Sequence, residues 1–327
     1  MKHFWKDKNY CLTALIFIVL ILGINVQFSS AAEKEILSQM EVKNDFVLSG
    51  GKIEVEMSPG DEVSKEIVIT SRLGREMKFH VGVEDFVGSN SPDEPAAVLL
   101  GDQKGPYSLK DYIHPELTEF NLVHGERISI PFTIKLPTDA EPGGRYGSIV
   151  VWSTNPDNGS GDNEKDSEGQ VKVISRLASL IFVRTKGDIK EEGMLKSFSG
   201  DRKFYEKGPV NFNLSFQNRG SVHVNPYGII EIYNMLGRKV GSIEVAPFYA
   251  LPDAVRWQKF SWERSPLVGL YEAKISLNRG YQNIVDEKEI SFWVIPWKIL
   301  SGVVIGLVIL VWLIIRLLSR YEFRKKN

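Results

Sequence analysis

The sequence predicts an all-β protein with two tandem immunoglobulin-like β-sandwich domains and one C-terminal transmembrane helix. Three observations predict this class. Many short segments between residues 33 and 294 alternate apolar and polar residues, which is typical of half-buried strands. Clusters of glycine, proline and asparagine separate these segments, as turns do. Near the C-terminus lies an apolar stretch long enough for a membrane helix.

The first 32 residues have the layout of a secretory signal peptide. Three lysines precede an apolar run over residues 11–23, and small residues follow at 29–32. Cleavage after Ala31 or Ala32 would remove this segment. An uncleaved first helix is the alternative, but the run is short for a span, which needs about 20 residues.

Residues 295–318 are the predicted transmembrane helix. No charged residue stands between Ile299 and Ile315, and with its flanks the stretch approaches the ~20 residues that cross ~30 Å of hydrocarbon. Residues 319–327 form a basic tail, and a basic flank normally stays in the cytoplasm. We therefore expect a single-pass type I protein of the cell membrane, with an extracellular ectodomain and a cytoplasmic C-terminus.

The first domain, residues 33–186, is predicted from a series of strand-like segments. They are KIEVEM, EIVITS, KFHVGVEDF, RISIPFTIKLP, GSIVVWS and VKVISRLASLIFVRT. The fourth alternates without a break, and the last is interrupted near residues 175–178. TDAEPGGRYG, before GSIVVWS, is predicted to be a turn. His80 falls on the polar face of its strand, so we expect a solvated side chain rather than a ligand or base.

Residues 87–126 form a long insertion in this domain. The insertion contains three clusters of glycine or proline and a candidate one-turn helix, SLKDYI, which Ser108 would cap. Its aromatic residues include Tyr107 and Tyr112. These side chains would either form a contact surface for a partner or pack the insertion onto its own domain, which is the more ordinary use.

An acidic loop follows at residues 154–170. Its five carboxylates could hold calcium, but their spacing matches no calcium-binding loop. The alternative is a solvated, mobile hairpin loop.

The second domain, residues 187–294, repeats the pattern in a shorter form. VNFNLSFQN, YGIIEIYNMLGRKVGSIEV, WQKFSWE, GLYEAKISLN and EKEISFWV supply its strands. Roughly seven strands at this spacing are typical of an immunoglobulin-type sandwich. Trp257 and Trp262 are candidate contacts for a partner. Their separation of five places them on opposite faces of a strand, so at least one should be core.

Composition and motifs argue against several other classes. The single cysteine, Cys11, lies in the signal segment, and a net charge of −1 gives no electrostatic case for nucleic acid. No HExxH, GxSxG or glycine-rich phosphate loop occurs. Glu84 and Asp85 are adjacent but point to opposite faces of a strand. We therefore expect no enzyme, no metal site and no cofactor.

Several segments resemble the WxL-interacting proteins of Gram-positive bacteria. The resemblance begins with IEVEMSPGDEVSKEIVITSRLGREMKFHVGVEDF and VHGERISIPFTIKLPTDAEPGGRYGSIVV. It continues through VNFNLSFQNRGSVHVNPYGIIEIYN, VAPFYALPDAVRWQKFSW and GLYEAKISLN to the membrane helix. The long insertion and the acidic loop depart from that pattern. The resemblance implies a first domain that contacts peptidoglycan and a second that contacts another surface protein or a host ligand.

The expected function is a surface-anchored binding or scaffold protein. Its two sandwiches would present loops to cell-wall polymer, such as peptidoglycan, or to a partner surface protein. Tyr107, Tyr112, Trp257 and Trp262 are the candidate partner-binding residues. The alternative is an envelope assembly factor, a chaperone-like subunit of a membrane complex that pairs a sheet edge with a client strand.

Overall fold

The computed structural model describes residues 32–37, 40–154, 175–265 and 267–319. This part of the chain is mostly strand and ends in one apolar helix, which confirms the predicted class in this coarse form. The strands of the first sandwich are β1 (Glu33–Ile36), β2 (Asp45–Ser49), β3 (Lys52–Met57), β4 (Glu62–Arg72), β5 (Met77–Gly88), β6 (Ala97–Leu99), β7 (Ile113–Pro115), β8 (Glu119–Leu122), β9 (Glu126–Lys135), β10 (Gly143–Thr154) and β11 (Arg176–Thr185). Those of the second are β12 (Gly193–Gly200), β13 (Phe204–Tyr205), β14 (Val210–Asn218), β15 (Tyr227–Asn234), β16 (Lys239–Val245), β17 (Val255–Trp262), β18 (Gly269–Asn278) and β19 (Val285–Val294).

The strands form four sheets. Sheet I has the order β1-β9-β4-β2 with β7 also on β9, and sheet II has the order β3-β11-β10-β5-β6 with β8 also on β5. Sheet III is β12-β14-β17, and sheet IV is β13-β19-β18-β15-β16. Sheets I and II enclose one apolar core and sheets III and IV another. Two sandwiches therefore follow one another along the chain.

The unbroken alternation predicted for RISIPFTIKLP is present in β9. Ile128, Ile130, Phe132 and Ile134 are all buried in the first core. The strand pairs antiparallel with β4 along nearly its whole length. Alternation of apolar side chains thus places one face of β9 against the opposite sheet, as the period of a strand requires.

One extended segment contributes to both sheets of the first sandwich. β2 pairs with β4 in sheet I, whereas β3 pairs in parallel with β11 in sheet II. Gly50 lies between them with a φ of +86°, a conformation that glycine adopts at little cost because it has no Cβ. This glycine lets the chain leave one sheet and enter the other.

One local prediction in the first domain is confirmed and two others need correction. The one-turn helix is present within SLKDYI, but Ser108 does not cap it, and the predicted turn 138–147 ends before Gly143. The candidate helix is a single 3₁₀ turn, Lys110–Tyr112, whose N-cap is Leu109; Ser108 makes no capping bond and is itself buried. The predicted turn TDAEPGGRYG gives way to β10 already at Gly143, and Gly147 pairs with both β11 and β5. Glycine offers no side chain to reveal a strand, so the pattern at 143–147 carries no alternation.

The long insertion packs onto its own domain. Leu109 and Ile113 are buried in the first core, and β8 adds a strand to β5. The Asp85 carboxylate, itself fully buried, accepts bonds from the backbone N–H groups of Gly105, Leu109 and Lys110 at 2.9–3.0 Å. Tertiary packing, not local periodicity, therefore holds this segment.

The second sandwich contains two strands that the sequence does not indicate, β12 and the two-residue β13. β12 opens the domain and pairs with β14 through a register shift between Leu195 and Ser197. The bulge disturbs the alternation of the segment, which explains why the pattern was not recognised.

An apolar cluster joins the two sandwiches. Phe86, Tyr146 and Phe182 of the first domain pack against Leu251 and Ala254 of the second. These aromatic rings meet edge to face or tilted, with centroids 5.3–5.9 Å apart, the arrangement that ring quadrupoles favour.

Polar contacts surround this cluster. The backbone N–H of His223 donates to the Tyr146 hydroxyl at 2.7 Å, and its Nε2 lies 2.5 Å from Oε1 of Glu54. The Tyr107 hydroxyl donates to Asp253 at 2.7 Å. Buried apolar contact and polar bonds together fix the orientation of one domain on the other.

Two residues, Ile295 and Pro296, separate the end of β19 from the helix α1 (Trp297–Leu318). It is long and apolar enough to cross a membrane, and none of its residues is buried against the sandwiches. Lys298, in its first turn, forms an ion pair of 2.9 Å with Glu206 of the second domain. The short connection places the second domain directly beside the helix.

Candidate functional site

The start of β11 is an incompletely paired edge of sheet II. β10 pairs with β11 from Arg176 onward, but β3 joins the other side only from Leu180. In the part of the chain that the structure describes, no strand pairs with residues 176–179 on the side away from β10. We call these four residues the open edge.

The orientation of the backbone follows from one hydrogen bond. The N–H of Leu180 donates to the carbonyl of Gly51 at 2.9 Å, on the β3 side. Alternate residues of a strand direct their N–H and C=O groups to the same side. Arg176 and Ala178 therefore direct theirs toward the unoccupied side, where a further strand can pair with them.

The side chains of the open edge alternate between the two faces of the sheet. Leu177 shares the inner face with Ile181 and Val183, which are core residues, but Leu177 itself is 37% exposed. β2 has already crossed to sheet I here, so nothing described covers Leu177 fully. An apolar side chain is thus accessible between the two sheets beside unpaired backbone.

A groove of about 640 Å³ lies at the same end of the sandwich. Its walls include Val42, Leu73 and Met77 together with Ser153 and Ser175, the residues that flank the ends of β10 and β11. The groove has both apolar and polar walls, and Ser175 in its wall lies two residues before Leu177 in the chain. An extended segment paired with the open edge would therefore enter a concave surface.

The outer face of the open edge is held rigidly. The Arg176 guanidinium forms an ion pair with Glu84 and lies 5.7 Å from the centre of the Trp152 ring. His80 stacks on the same tryptophan and lies 3.1 Å from Glu119 and 2.9 Å from Thr154. His80 is thus a half-buried member of this outer layer rather than the solvated side chain that its polar face predicted.

Two other sheet edges, β12 and β17, carry side chains that block part of their backbone. At β12, Asp286 accepts from the Leu195 N–H at 2.7 Å, and Lys288 donates to the Lys196 carbonyl at 2.6 Å. At β17, Asn90 accepts from the Val255 N–H at 2.9 Å. Such covering is how proteins prevent unwanted strand pairing. Within the described residues, Ala178 has no comparable cover.

The four predicted partner-binding residues do not form one site. Trp262 is 6% exposed in the second core, so its prediction as a contact is wrong: its inward position on β17 buries it. Trp257, on the other face of that strand, is half-buried and lines a separate groove with Lys259 and Pro92.

The two tyrosines are half-buried and face different surroundings. Tyr107 packs against the cluster between the domains, and burial together with the bond to Asp253 raises its pKa to about 12. Tyr112 packs against the first core, and Arg145 lies 5.8 Å from the centre of its ring. The structure thus uses both largely for packing of the insertion.

The polar side chains of the described residues hold no group of three or more candidate metal ligands. The acidic loop at 154–170 falls outside the described residues from position 155, and so does the prediction about calcium. Glu84 and Asp85 do face opposite ways: Glu84 pairs with Arg176, and Asp85 holds the insertion.

The sequence offers one signal for the open edge. β11 runs unbroken over Arg176–Thr185, so the predicted interruption of the strand near residues 175–178 is wrong. What the sequence shows there is a loss of apolar alternation. It coincides with the residues that lack a second neighbour, where the demand for an apolar pattern is relaxed because one side of the sheet is uncovered.

No family model and no curated protein matches the sequence. The resemblance to the WxL-interacting family therefore stays a prediction.

Several solved structures are similar to the chain. The class 5 fimbriae chaperone CfaA has a TM-score of 0.36 and 12% identity over 77% of this chain and 100% of its own. The Escherichia coli chaperone DraB has a TM-score of 0.33 and 11% identity over 76% and 97%. A chain of the chaperone–tip adhesion subunit complex CsuC–CsuE of Acinetobacter baumannii has a TM-score of 0.36 and 11% identity over 74% and 97%.

These similarities contradict the main predicted function. The three structures named above are chaperones and not scaffolds that bind cell-wall polymer, so the prediction of a peptidoglycan-binding scaffold is wrong. Their TM-scores are too low to transfer any residue or partner, so the mode of binding has to be inferred from the geometry of this chain itself.

Proposed function

We propose that this protein is a membrane-anchored, non-enzymatic assembly factor that binds an extended segment of a client envelope protein along the open edge. The observation that carries the proposal is the unpaired start of β11 beside an accessible leucine. In this proposal the two sandwiches are immunoglobulin-like domains, α1 crosses the cell membrane, and both domains are extracellular.

The backbone provides the first part of the binding energy. Arg176 and Ala178 present N–H and C=O groups to a further strand, and each hydrogen bond contributes a net of about 0.5–1.5 kcal/mol. Since few such bonds can form, they give register and direction more than affinity. This mode of recognition tolerates clients of different sequence.

Burial of apolar side chains provides the second part. Alternate residues of the client strand would point inward, beside Leu177 and toward the gap between sheets I and II. Each large apolar side chain that leaves water there contributes roughly 1.5–3 kcal/mol. A suitable client segment therefore alternates apolar and polar residues, as an unprotected edge strand does.

The placement of the domains fits a client outside the membrane. β15, β18 and β19 run from the interface with the first domain to the start of α1, so the first domain lies at the far end of the second. The open edge belongs to that first domain. A client emerging into the space outside the cell would meet it away from the bilayer.

A peptide experiment tests the proposal. The purified full chain in detergent micelles is mixed with a synthetic peptide of alternating apolar and polar residues, and amide hydrogen exchange is followed. We expect slower exchange at Ala178 when the peptide binds. A peptide with N-methyl groups on its pairing amides is the control, because it keeps the side chains but cannot complete the ladder.

Two outcomes would contradict strand pairing. One is equal binding of the N-methylated and unmodified peptides, which would leave the backbone with no role. The other is protection confined to β12, whose edge is already covered by Asp286 and Lys288.

A further inference from the structure

One end of the second domain collects the loops around the start of α1. β19 ends there, β18 begins opposite that end, and β15 pairs Asn234 with Tyr271 beside it. The turn 235–238 and the connections 201–203 and 206–209 lie at this same end, because Phe204 pairs with Trp293 and Val210 with Trp262. We call it the helix-proximal end.

Exposed apolar side chains are concentrated at the helix-proximal end. Leu236 is 73% exposed, Met235 69% and Phe204 65%, and Trp293 is 42% exposed. Val268 is also exposed, and Met235 lies over Gly269, since a Cβ built there would be 3.4 Å from its Sδ atom. A β-turn tipped by methionine and leucine has no packing role that would account for it.

The outer face of sheet IV changes character along its strands. Its middle carries charged residues, among them Glu272, Lys274 and Glu289, which form ion pairs. Its end away from the helix carries Tyr227, Ile229 and Val285, which are 37–49% exposed. At the helix-proximal end the same face carries the paired row Phe204, Trp293 and Leu270. The apolar side chains at the helix-proximal end are the more exposed ones, at 65–73% for Phe204, Met235 and Leu236.

Basic residues surround this apolar surface. Arg202, Lys203, Lys207, Arg238 and Arg264 are all exposed at the helix-proximal end. Three acidic residues, Asp201, Glu206 and the exposed Glu263, are also present. Two of them have partners: Glu206 pairs with Lys298, and Asp201 accepts from Tyr205 and Asn211. Proteins bind the interface of an anionic bilayer through exposed tryptophan, exposed apolar side chains and basic residues, and this surface combines all three.

We propose that the helix-proximal end is a lipid-docking surface, which rests on the membrane surface with Met235, Leu236, Phe204 and Trp293 at the level of the headgroups. Only two residues separate β19 from α1. A helix that crosses the membrane therefore places the bilayer beside the helix-proximal end of the second domain. Contact with lipid, in addition to the covalent link to α1, then fixes the orientation of the second domain relative to the membrane. This inference depends on α1 crossing the membrane, but not on the strand-binding function of the first domain.

Site-specific fluorescence tests the proposal. The full chain with Cys11→Ser is reconstituted in phosphatidylcholine bilayers with and without phosphatidylglycerol, and an environment-sensitive label is attached at Leu236→Cys or Phe204→Cys. Quenching by lipids that carry a nitroxide near the headgroup is measured. Val285→Cys, an exposed apolar position at the other end of β19, is the matched control, and Val308→Cys in α1 reports insertion of the helix.

We expect strong quenching at positions 236 and 204, more with phosphatidylglycerol, and none at 285. Quenching at 308 with none at 236 and 204 would overturn the docking surface while leaving the anchor intact. A label at 236 that is shielded from water but not quenched would also overturn it, because protein would then cover the surface. Absence of quenching at 308 would remove the anchor on which the inference depends.

Discussion

At the scale of single residues, buried polar groups decide how the insertion is held. Asp85 lies fully buried and accepts three backbone N–H bonds from the segment 105–110. Leu109 is itself fully buried, so its N–H depends on this carboxylate for a hydrogen bond. One carboxylate thus anchors a loop that carries no periodic pattern of its own.

Replacement of this carboxylate should loosen the first domain. Asp85→Asn keeps one acceptor oxygen but turns an N–H₂ group toward the N–H donors, and an unsatisfied buried group costs about 1–3 kcal/mol. We expect a lower midpoint of denaturant unfolding. Asp102→Asn, an exposed position in the same loop, is the control, and equal midpoints for the two variants would refute the anchoring role.

A second residue-scale prediction concerns acid stability. The hydrogen bond with His223 and the nearby Lys52 lower the pKa of Glu54 from 4.5 to about 2, although partial burial opposes them. Because its pKa is lower in the folded state, Glu54 stabilises the fold above pH 4.5, and this contribution is lost as the pH falls toward 2. Glu54→Gln should therefore flatten the decline of the thermal midpoint over this range.

The control for Glu54 lies on the same strand. Glu56 is exposed on β3 and has no partner among the described residues. Glu56→Gln should leave the acid profile of the wild-type chain unchanged. If both variants follow the wild-type profile, the pair of Glu54 and His223 does not couple proton binding to folding.

At the scale of elements, the strand that changes sheets creates the open edge. β2 and β3 are one extended segment, and its crossing at Gly50 leaves residues 176–179 without a second neighbour. Had the segment stayed in sheet II, it would have covered them. The candidate site is therefore a consequence of topology rather than of any motif.

Removal of a single donor tests the open edge. Ala178→Pro deletes the N–H that faces the unoccupied side, and proline is tolerated at such positions because no ladder bond is lost. We expect peptide binding to fall by about tenfold or more, since one bond and the local fit are lost, with little change in the unfolding midpoint. Isothermal titration with the alternating peptide measures the first, and thermal unfolding the second.

Leu177→Pro is the informative comparison. Its N–H faces β10, so this variant should destabilise the sheet itself. If Ala178→Pro binds the peptide as tightly as the unmodified chain, the open edge does not pair with it.

At the scale of the whole molecule, the interface between domains sets the position of the open edge. Gly88 touches the second domain so closely that an added Cβ would lie 2.5 Å from that of Ala254. Gly88→Leu should therefore force the domains apart. We expect faster proteolysis in the connection 186–192 and two separate thermal transitions in place of a coupled one.

A glycine with free space around its Cα provides the control for Gly88→Leu. Gly51 has nothing within 4 Å of an added Cβ, and Gly51→Ala should leave both readouts unchanged. Rapid cleavage at 186–192 in the unmodified chain would contradict a tight interface.

Much of the architecture could be predicted from alternation. β9, β14 and β18 were recognised because each buries one face, and a period of two then appears directly in the letters. β12 and the start of β10 escaped recognition because a bulge and a run of glycines removed the pattern. A period of two appears only where a strand buries one face. Strands without such one-sided burial cannot be recognised from the sequence pattern.

The candidate site could be predicted from the sequence far less. The sequence predicts tryptophan and tyrosine residues as partner contacts because aromatic residues are frequent at interfaces. In the structure, Trp262 is buried in the second core and Tyr107 packs between the two domains. Residue type cannot tell a buried ring from a free one. The open edge consists of backbone groups, which are common to all residue types. The sequence therefore cannot show which of them are unpaired.

By itself the sequence determined the β class, the apolar helix near the C-terminus and the strands whose side chains alternate, because burial and hydrocarbon length act on local composition. Only the tertiary structure decided which edges stay unpaired, how the insertion is anchored and which apolar side chains gather beside the helix. These features depend on contacts between residues far apart in the chain, such as Leu180 with Gly51 and Phe204 with Trp293. Their physical cause is the pairing of strands, which local sequence does not encode.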